Sequence, residues 1–187
     1  MEKVEIIYPV PLSLNRRPTY AVIKRLFTPK QCASLVTFSE TRGRFYHSGG
    51  EHDVRDVDIL YLYPKDLAWP FAKIGRAAVE KNVWNFRLAG FTYPMRIQKY
   101  GAGGFTNEHM DSEYEDADLS KITAVVPLVR RRDWSGGQIK LGNHCLTPKL
   151  DIGDCLLYPS FYMHWVTPVK KGMRVTLSAW VSGPEYT

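Results

Sequence analysis

Gly153-Asp-Cys155-Leu-Leu-Tyr158-Pro159-Ser160, then His164-Trp-Val166-Thr-Pro168-Val169, then Gly172-Met-Arg174-Val-Thr176-Leu-Ser-Ala-Trp180 is the stretch whose texture decides the fold. It consists of short apolar runs rich in Val, Leu and aromatic residues, cut at close intervals by Gly and Pro, which is how strands and their turns read. The same texture extends back to residue 95. Met95–Tyr100, His109–Asp111, Ile122–Leu128, Gln138–Leu141, Cys155–Tyr158, His164–Val169 and Arg174–Val181 are the candidate strands. Many short strands with turns between them predict a sandwich, a jelly roll or a barrel.

Residues 20–94 have a different texture, mixing strands with helices. Tyr20 to Phe27 reads as a strand. Thr28-Pro29 resembles an N-cap with proline at the first helical position. Gln31 to Thr41 continues as an amphipathic helix with Cys32, Leu35, Val36 and Phe38 as candidate buried positions, ended by Gly43. Residues 44–56 are polar and contain glycine, which suits a mobile loop or hairpin, and the 42–56 segment is a candidate lid over a site. Asp58 to Tyr63 alternates like a strand. Trp69 to Phe86 predicts a second helix, opened by Pro70, with Phe71, Ile74, Ala78, Val79 and Val83 along one stripe. Packing logic sets both helices against one outer face of the sheet. No repeat or linker divides the 187 residues, so the simplest reading is one domain, 1–187, with 20–94 supporting a β core over 95–184.

At 44% hydrophobic and 24% charged, the composition is that of a soluble globular protein. The formal charge of +6 favours acidic partners through long-range attraction. The basic residues are scattered, however, and the one dense run, Arg130-Arg131-Arg132, suits a solvated loop better than a phosphate grip. Cys32, Cys145 and Cys155 are odd in number and show no paired spacing, which argues for a reducing compartment. The charged N-terminus shows no signal peptide and no apolar run is long enough for a membrane span, so the expected location is the cytoplasm.

Two imidazoles and one carboxylate can bind one face of an iron ion and leave other positions open, as in non-haem Fe(II) oxygenases. His109 and Asp111 point the same way if their segment is extended, and His164 opens a later apolar run that could bring a third ligand. A lone His-x-Asp is weak evidence. Arg174 offers a two-pronged grip on a carboxylate, and Thr176 shares its face by the period of two. His47 and His52 lie in a polar segment and read as exposed. His144-Cys145 lacks a partner string, and Cys155 reads as core.

What makes the signal specific is the surrounding string: Tyr100-x-x-Gly103, His109-x-Asp111, Asp118-Leu119-Ser120, Gly136-Gly137, Gly153-Asp154, Tyr158-Pro159-Ser160, His164-x-Val166-x-Pro168-Val169, Gly172-x-Arg174 and Trp180. Over residues 95–184 the chain resembles the Fe(II)- and 2-oxoglutarate-dependent dioxygenases of the prolyl 4-hydroxylase type, and within them the PKHD-type hydroxylases of microbes and their viruses. The resemblance implies a mainly β fold with supporting helices, built on a double-stranded β-helix, the jelly-roll or cupin-like core. It implies Fe(II) on His109, Asp111 and His164, and Arg174 holding the distal carboxylate of 2-oxoglutarate. Tyr100 and Thr176 become hydroxyl partners of that co-substrate, and Trp180 walls the iron pocket. It implies consumption of O2 with release of succinate and CO2, ascorbate as a possible reductant, and a prolyl residue of a peptide or protein as substrate.

Two positions depart from the pattern. Relatives acting on prolyl peptides often carry arginine where this chain has Ser120, beside Lys121, and a co-substrate tyrosine where it has Pro127. Glu108, Glu113, Glu115, Asp116 and Asp118 flank the iron motif and could form an acidic rim that selects basic peptides. Two other classes compete. One is an oxygenase of the same fold acting on another residue, a small molecule or a nucleic-acid base, to which the positive charge lends some weight and the lack of a basic stripe interleaved with aromatics does not. The other is a binding module without metal, against which the complete triad and Arg174 argue.

Overall fold

A computed structural model of the chain describes residues 18–42, 44–49, 54–112, 120–142 and 145–184. In chain order the described elements are β1 (Ala21–Ile23), α1 (Pro29–Arg42), β2 (Tyr46–Ser48), β3 (Arg55–Leu62), α2 (Ala68–Glu80), β4 (Gly90–Phe91), β5 (Met95–Tyr100), β6 (Phe105–His109), β7 (Ser120–Pro127), β8 (Trp134–Gly136), β9 (Ile139–Leu141), β10 (Cys155–Pro159), β11 (His164–Val166), β12 (Val169–Gly172) and β13 (Arg174–Ser182). The main sheet runs β1-β10-β7-β13-β5-β3-β6-β11-β9, with β2 added to β3 and β4 to β13, while β8 and β12 form a separate ribbon. All the strand pairs are antiparallel.

The sheet curls on itself at β3. Residues 58–62 of β3 pair with β5, and Arg55 and Asp56 pair with β6. The curled sheet is the jelly-roll core that the short strands predict.

Alternation sorts the side chains of the long strands. Ile97, Ala124, Val126, Val175, Leu177, Ala179 and Val181 face outward and are buried together with Phe27, Cys32, Leu35, Phe71, Ile74 and Ala78 from the helical side. The helices do cover one outer face. The opposite face, inside the curl, carries Arg96, Gln98, Tyr100, Thr123, Arg174, Ser178 and Trp180. A sheet apolar on one side and polar on the other thus binds its support through the first and presents chemistry through the second.

Helix α1 starts where a reciprocal capping box closes it. Gln31 N donates to Thr28 Oγ1 at 3.2 Å and Thr28 N donates to Gln31 Oε1 at 3.0 Å, satisfying two amides that the first helical turn leaves open. Cys32, Leu35 and Ser39 are its buried positions, with Val36 and Phe38 partly buried. Gly43, the expected terminator, lies outside the described residues.

Several boundaries differ from the sequence-based expectations. The first strand stops at Ile23 because the Asp154 carboxylate takes Lys24 Nζ at 2.7 Å and Arg25 N at 3.0 Å, turning the chain. Helix α2 ends at Glu80 and not near Phe86. Asn82 captures Phe86 through both side-chain atoms, accepting from Phe86 N at 3.0 Å and donating to its carbonyl at 2.7 Å. Val79 and Val83 therefore leave the expected stripe and stand 66% and 43% exposed. Segment His164–Val169 is two strands, since Pro168 cannot donate to a ladder and the chain crosses there from β9 and β6 to β8. Residues 46–48 form one arm of a hairpin with β3, and residues 50–53, at the centre of the expected lid, lie outside the described residues. Among the described residues no helix is long and apolar enough to cross a membrane.

The Gly153-Asp154 motif serves this scaffold and not the site. A Cβ on Gly153 would fall 2.0 Å from the Phe27 carbonyl oxygen, so only glycine allows the approach in which Phe27 N donates to Gly153 O at 3.0 Å. Asp154 is held below the usual carboxylate range. Burial opposes this, but the bonds from Lys24, Asp151 and Arg25 prevail.

Candidate metal centre and co-substrate pocket

The antiparallel register of β6 and β11 sets His109 directly opposite His164, with ring centroids 4.2 Å apart. Asp111 does not extend the strand, as the His-x-Asp spacing alone suggests. Strand β6 ends at His109, and Asp111 lies in the following turn, where its backbone N donates to Ser160 O at 2.9 Å. That bond folds the carboxylate back over the two rings. Asp111 Oδ1 lies 3.5 Å from His109 Nε2 and Oδ2 lies 3.6 Å from His164 Nε2. The ligating atoms of the three residues fall within 4.8 Å of one another.

The supporting bonds aim each group. His109 Nδ1 pairs with Asn107 O at 2.9 Å and His164 Nδ1 with Tyr162 O at 3.0 Å. A carbonyl can only accept, so both Nδ1 atoms carry protons and, in the neutral rings, both Nε2 lone pairs face Asp111 and the space between. Thr123 Oγ1 donates to Asp111 Oδ2 at 2.5 Å and lies 3.0 Å from Ser160 Oγ. Burial tends to raise the pKa of Asp111, but the charge of His164, the hydrogen bond and charge of His109, and the Thr123 hydroxyl hold it well below the carboxylate range. Burial pushes His164 down. It pushes His109 the same way, but there the Asp111 hydrogen bond and charge win and raise it. A carboxylate kept ionised against two imidazoles is a donor set suited to a divalent cation.

Replacing Thr123 with valine should weaken metal binding about 10- to 100-fold, the range for partners that orient a ligand. Titration with Mn(II) followed by its paramagnetic signal measures it, and unchanged affinity would show that the bond from Asp111 N to Ser160 O and the turn alone hold Asp111.

These residues border a cavity of about 480 Å³ inside the curl. Arg174 lies at its wall, buried, its guanidinium 4.7 Å from the Tyr100 ring centre and 5.9 Å from that of Trp134. Its Nη1 is buried and has no hydrogen-bond partner, and among the described residues no carboxylate pairs with it. Two residues along the same face, the buried Thr176 Oγ1 also lacks a partner. Thr176 does not itself border the cavity, unlike Tyr100 and Trp180. Tyr100 OH lies 3.2 Å from Thr106 Oγ1.

Gly136-Gly137 makes room for the arginine. Both have positive φ, and a Cβ on Gly137 would come 3.0 Å from Arg174 Cδ and 2.8 Å from Val169 Cγ2. A buried cation and a buried hydroxyl without acceptors are costly in an empty protein. They fit the distal carboxylate of a bound dianion.

The remaining expected features fall out plainly. Arg131 stacks on Trp134 with its guanidinium 4.0 Å from the ring and donates to Trp134 O and Gly136 O, so it braces the glycine turn. His47 is exposed, its Nδ1 2.8 Å from Asp58 Oδ1. His52, His144 and the acidic residues Glu113, Glu115, Asp116 and Asp118 lie outside the described residues, while Glu108 is exposed beside His109. Burial pushes the Cys155 thiol up to about 12 and that of Cys32 to about 11, which leaves both as core groups. Sequence reasoning passed over Arg55 and Arg96, both of which border the cavity. For Arg96 the signal was present: in β5 it shares the parity of Tyr100.

Comparison with known proteins agrees with this geometry. Residues 95–182 match the model of the 2OG-Fe(II) oxygenase superfamily. A PKHD-type hydroxylase of Idiomarina loihiensis is 32% identical over 87 residues, 46% of the chain and 40% of the relative, and one of Prochlorococcus marinus is 29% identical over 93 residues, 49% and 39%. The chain thus spans about two fifths of the length of these relatives. Among solved structures, a Pseudomonas putida prolyl-4-hydroxylase superposes with a TM-score of 0.71 at 17% identity, over 89% of the chain and 93% of its own. A viral collagen prolyl hydroxylase from Paramecium Bursaria Chlorella virus-1, in a 2OG complex, gives 0.71 at 17%, over 89% and 97%.

Proposed function

We propose that this chain, whose residues 95–182 match the 2OG-Fe(II) oxygenase superfamily, is an oxygenase of that kind and a hydroxylase that converts a C–H bond of a prolyl residue in a peptide or protein to C–OH, with oxidation of 2-oxoglutarate to succinate and CO2 by O2. The observation that carries the reading is the pairing, inside one cavity, of a His-Asp-His triad with a buried arginine that has no counter-charge among the described residues. Iron bound by His109, Asp111 and His164 supplies the redox chemistry, which protein side chains lack, and leaves positions for the co-substrate and O2.

The chain's own residues do the rest. Arg174 takes the distal carboxylate of 2-oxoglutarate, with the unpartnered Thr176 hydroxyl behind it on the same face, and Tyr100 flattens the aliphatic part of the pocket beside the guanidinium. Asn107 and Tyr162 carbonyls keep each imidazole in the tautomer that ligates. Trp180, 8% exposed, walls the iron pocket and excludes water. The prolyl substrate is supported by the naming of the sequence relatives as PKHD-type hydroxylases and of the structural neighbours as prolyl hydroxylases. Ascorbate fits as the reductant that returns iron to Fe(II). The whole chain reads as one dioxygenase domain, and its free cysteines suit the cytoplasm.

The test is succinate release by the full chain supplied with Fe(II), ascorbate and 2-oxoglutarate, alone and with a library of proline-containing peptides. Slow release alone and acceleration by particular peptides, with hydroxyproline in the product, is the expected result. No release under any condition removes the oxygenase reading, and acceleration only by proline-free peptides removes the prolyl one.

A further inference from the structure

Among the described residues, the charged side chains bordering the cavity, besides the two imidazoles, are Arg55, Arg96, Arg174 and Asp111. A divalent cation, Asp111, a dianionic co-substrate and Arg174 cancel in charge. Arg55 and Arg96 are left over. Among the described residues no carboxylate pairs with either, so among those residues two cations are left without a counter-charge for whatever enters last.

Arg96 is the better built of the two. It sits on β5 opposite Ser178 of β13 on one side and Tyr61 of β3 on the other. Its guanidinium lies 4.6 Å from the Trp180 ring centre and 5.5 Å from that of Tyr61. Two aromatic faces hold the planar group. Its Nε is buried with no hydrogen-bond partner, and Ser120 Oγ, which borders the same cavity, is also buried without one. Burial lowers the basicity of Arg96, and among its charged neighbours Arg55 acts in the same direction while Asp111 opposes, which places all three within one another's field.

A half-buried cation whose Nε donor is buried and unused gains from an anion that completes its bonding. Resting on the hydroxylase reading, we propose that the substrate carries a carboxylate close to the carbon that is oxidised, and that Arg96, flanked by Arg55, receives it. The rigid planar fork suits a planar carboxylate held through two parallel N–H bonds. The anion has two chemical sources, an acidic side chain next to the proline or the α-carboxylate of a C-terminal or free proline. This reverses the expectation of basic peptides drawn from the acidic rim.

The experiment uses the full chain with Fe(II) and 2-oxoglutarate, and twin substrates that differ in one group. The first pair places Asp or Asn beside proline, and the second ends in proline with a free carboxylate or carboxamide. KM from succinate release and binding to the Mn(II)- and 2-oxoglutarate-loaded protein by calorimetry are measured for each twin. In at least one pair the carboxylate twin should have KM and Kd about 10- to 100-fold lower than its amide. Arg96→Met should bring that ratio close to one and Arg96→Lys should restore part of it. Because the ratio is taken within each variant, a general loss of activity does not imitate the result. Preference confined to one pair names the source. Equal KM for both twins, persistence of the preference in Arg96→Met, or no response to any carboxylate twin overturns the proposal. Peptide-independent succinate release in those cases leaves the hydroxylase reading standing, whereas its absence removes that reading.

Discussion

Asp111→Ala is expected to lower iron affinity by more than about 100-fold, beyond the range for residues that only orient a ligand, and to abolish measurable succinate release. The carboxylate is the sole anion among the triad and reaches both imidazoles, at 3.5 and 3.6 Å. Two histidines alone offer a divalent cation no charge compensation. The protein itself should stay folded, because the backbone bond from residue 111 to Ser160 O survives the substitution and Thr123 retains Ser160 Oγ. Thermal melts separate these effects. A metal at 100 times its dissociation constant stabilises the wild-type protein by about 2.7 kcal/mol, so Mn(II) should raise the wild-type Tm and leave the variant unmoved. An Asp111→Ala protein that holds stoichiometric iron and makes succinate normally would remove this site from the chemistry.

Arg174→Met should move stability and binding in opposite directions. Methionine keeps a long stem against Tyr100 and Trp134 and removes a buried charge that has no counter-ion among the described residues, so the protein without co-substrate should be as stable or up to about 1–4 kcal/mol more stable, as when buried ionic groups give way to apolar ones. In the same variant the KM for 2-oxoglutarate should rise about 30- to 5,000-fold, from the roughly 2–5 kcal/mol lost when one member of a buried charge pair is truncated. A structural arginine would show the reverse, a falling Tm with an unchanged KM. Scanning fluorimetry and succinate kinetics on one preparation decide between them.

The legible parts of the chain were those where local pattern and tertiary role coincide. Met95–Tyr100 is a strand of the same bounds in sequence and structure, since its alternation and its burial agree. Thr28-Pro29 and Gln31 announce the start of α1 because capping is a local interaction. Other features depend on partners distant in sequence. Whether β1 continues past Ile23 is decided by Asp154, some 130 residues on. The end of α2 hangs on one asparagine's competition for Phe86. In the site, the residue types of the triad and Arg174 were visible, yet their meeting was not. Asp111 reaches the histidines through a bond to Ser160, not through strand periodicity. Arg96 shares the parity of Tyr100 on β5, yet its place between Trp180 and Tyr61 depends on strands distant in sequence.

Strand β3 holds a position that bears on how the pocket can change. Its first residues pair with the strand bearing His109, and the rest pair with the strand bearing Arg96 and Tyr100. One length of backbone therefore sets the gauge between the metal wall and the cationic wall, much as a sleeper spaces two rails. Variants of side chains on β5 and β13 can retune what the cavity accepts while that spacing holds. An insertion or deletion within residues 55–62 would shift both walls relative to each other and flip the strand's faces, so β3 should tolerate substitution far better than a change in length.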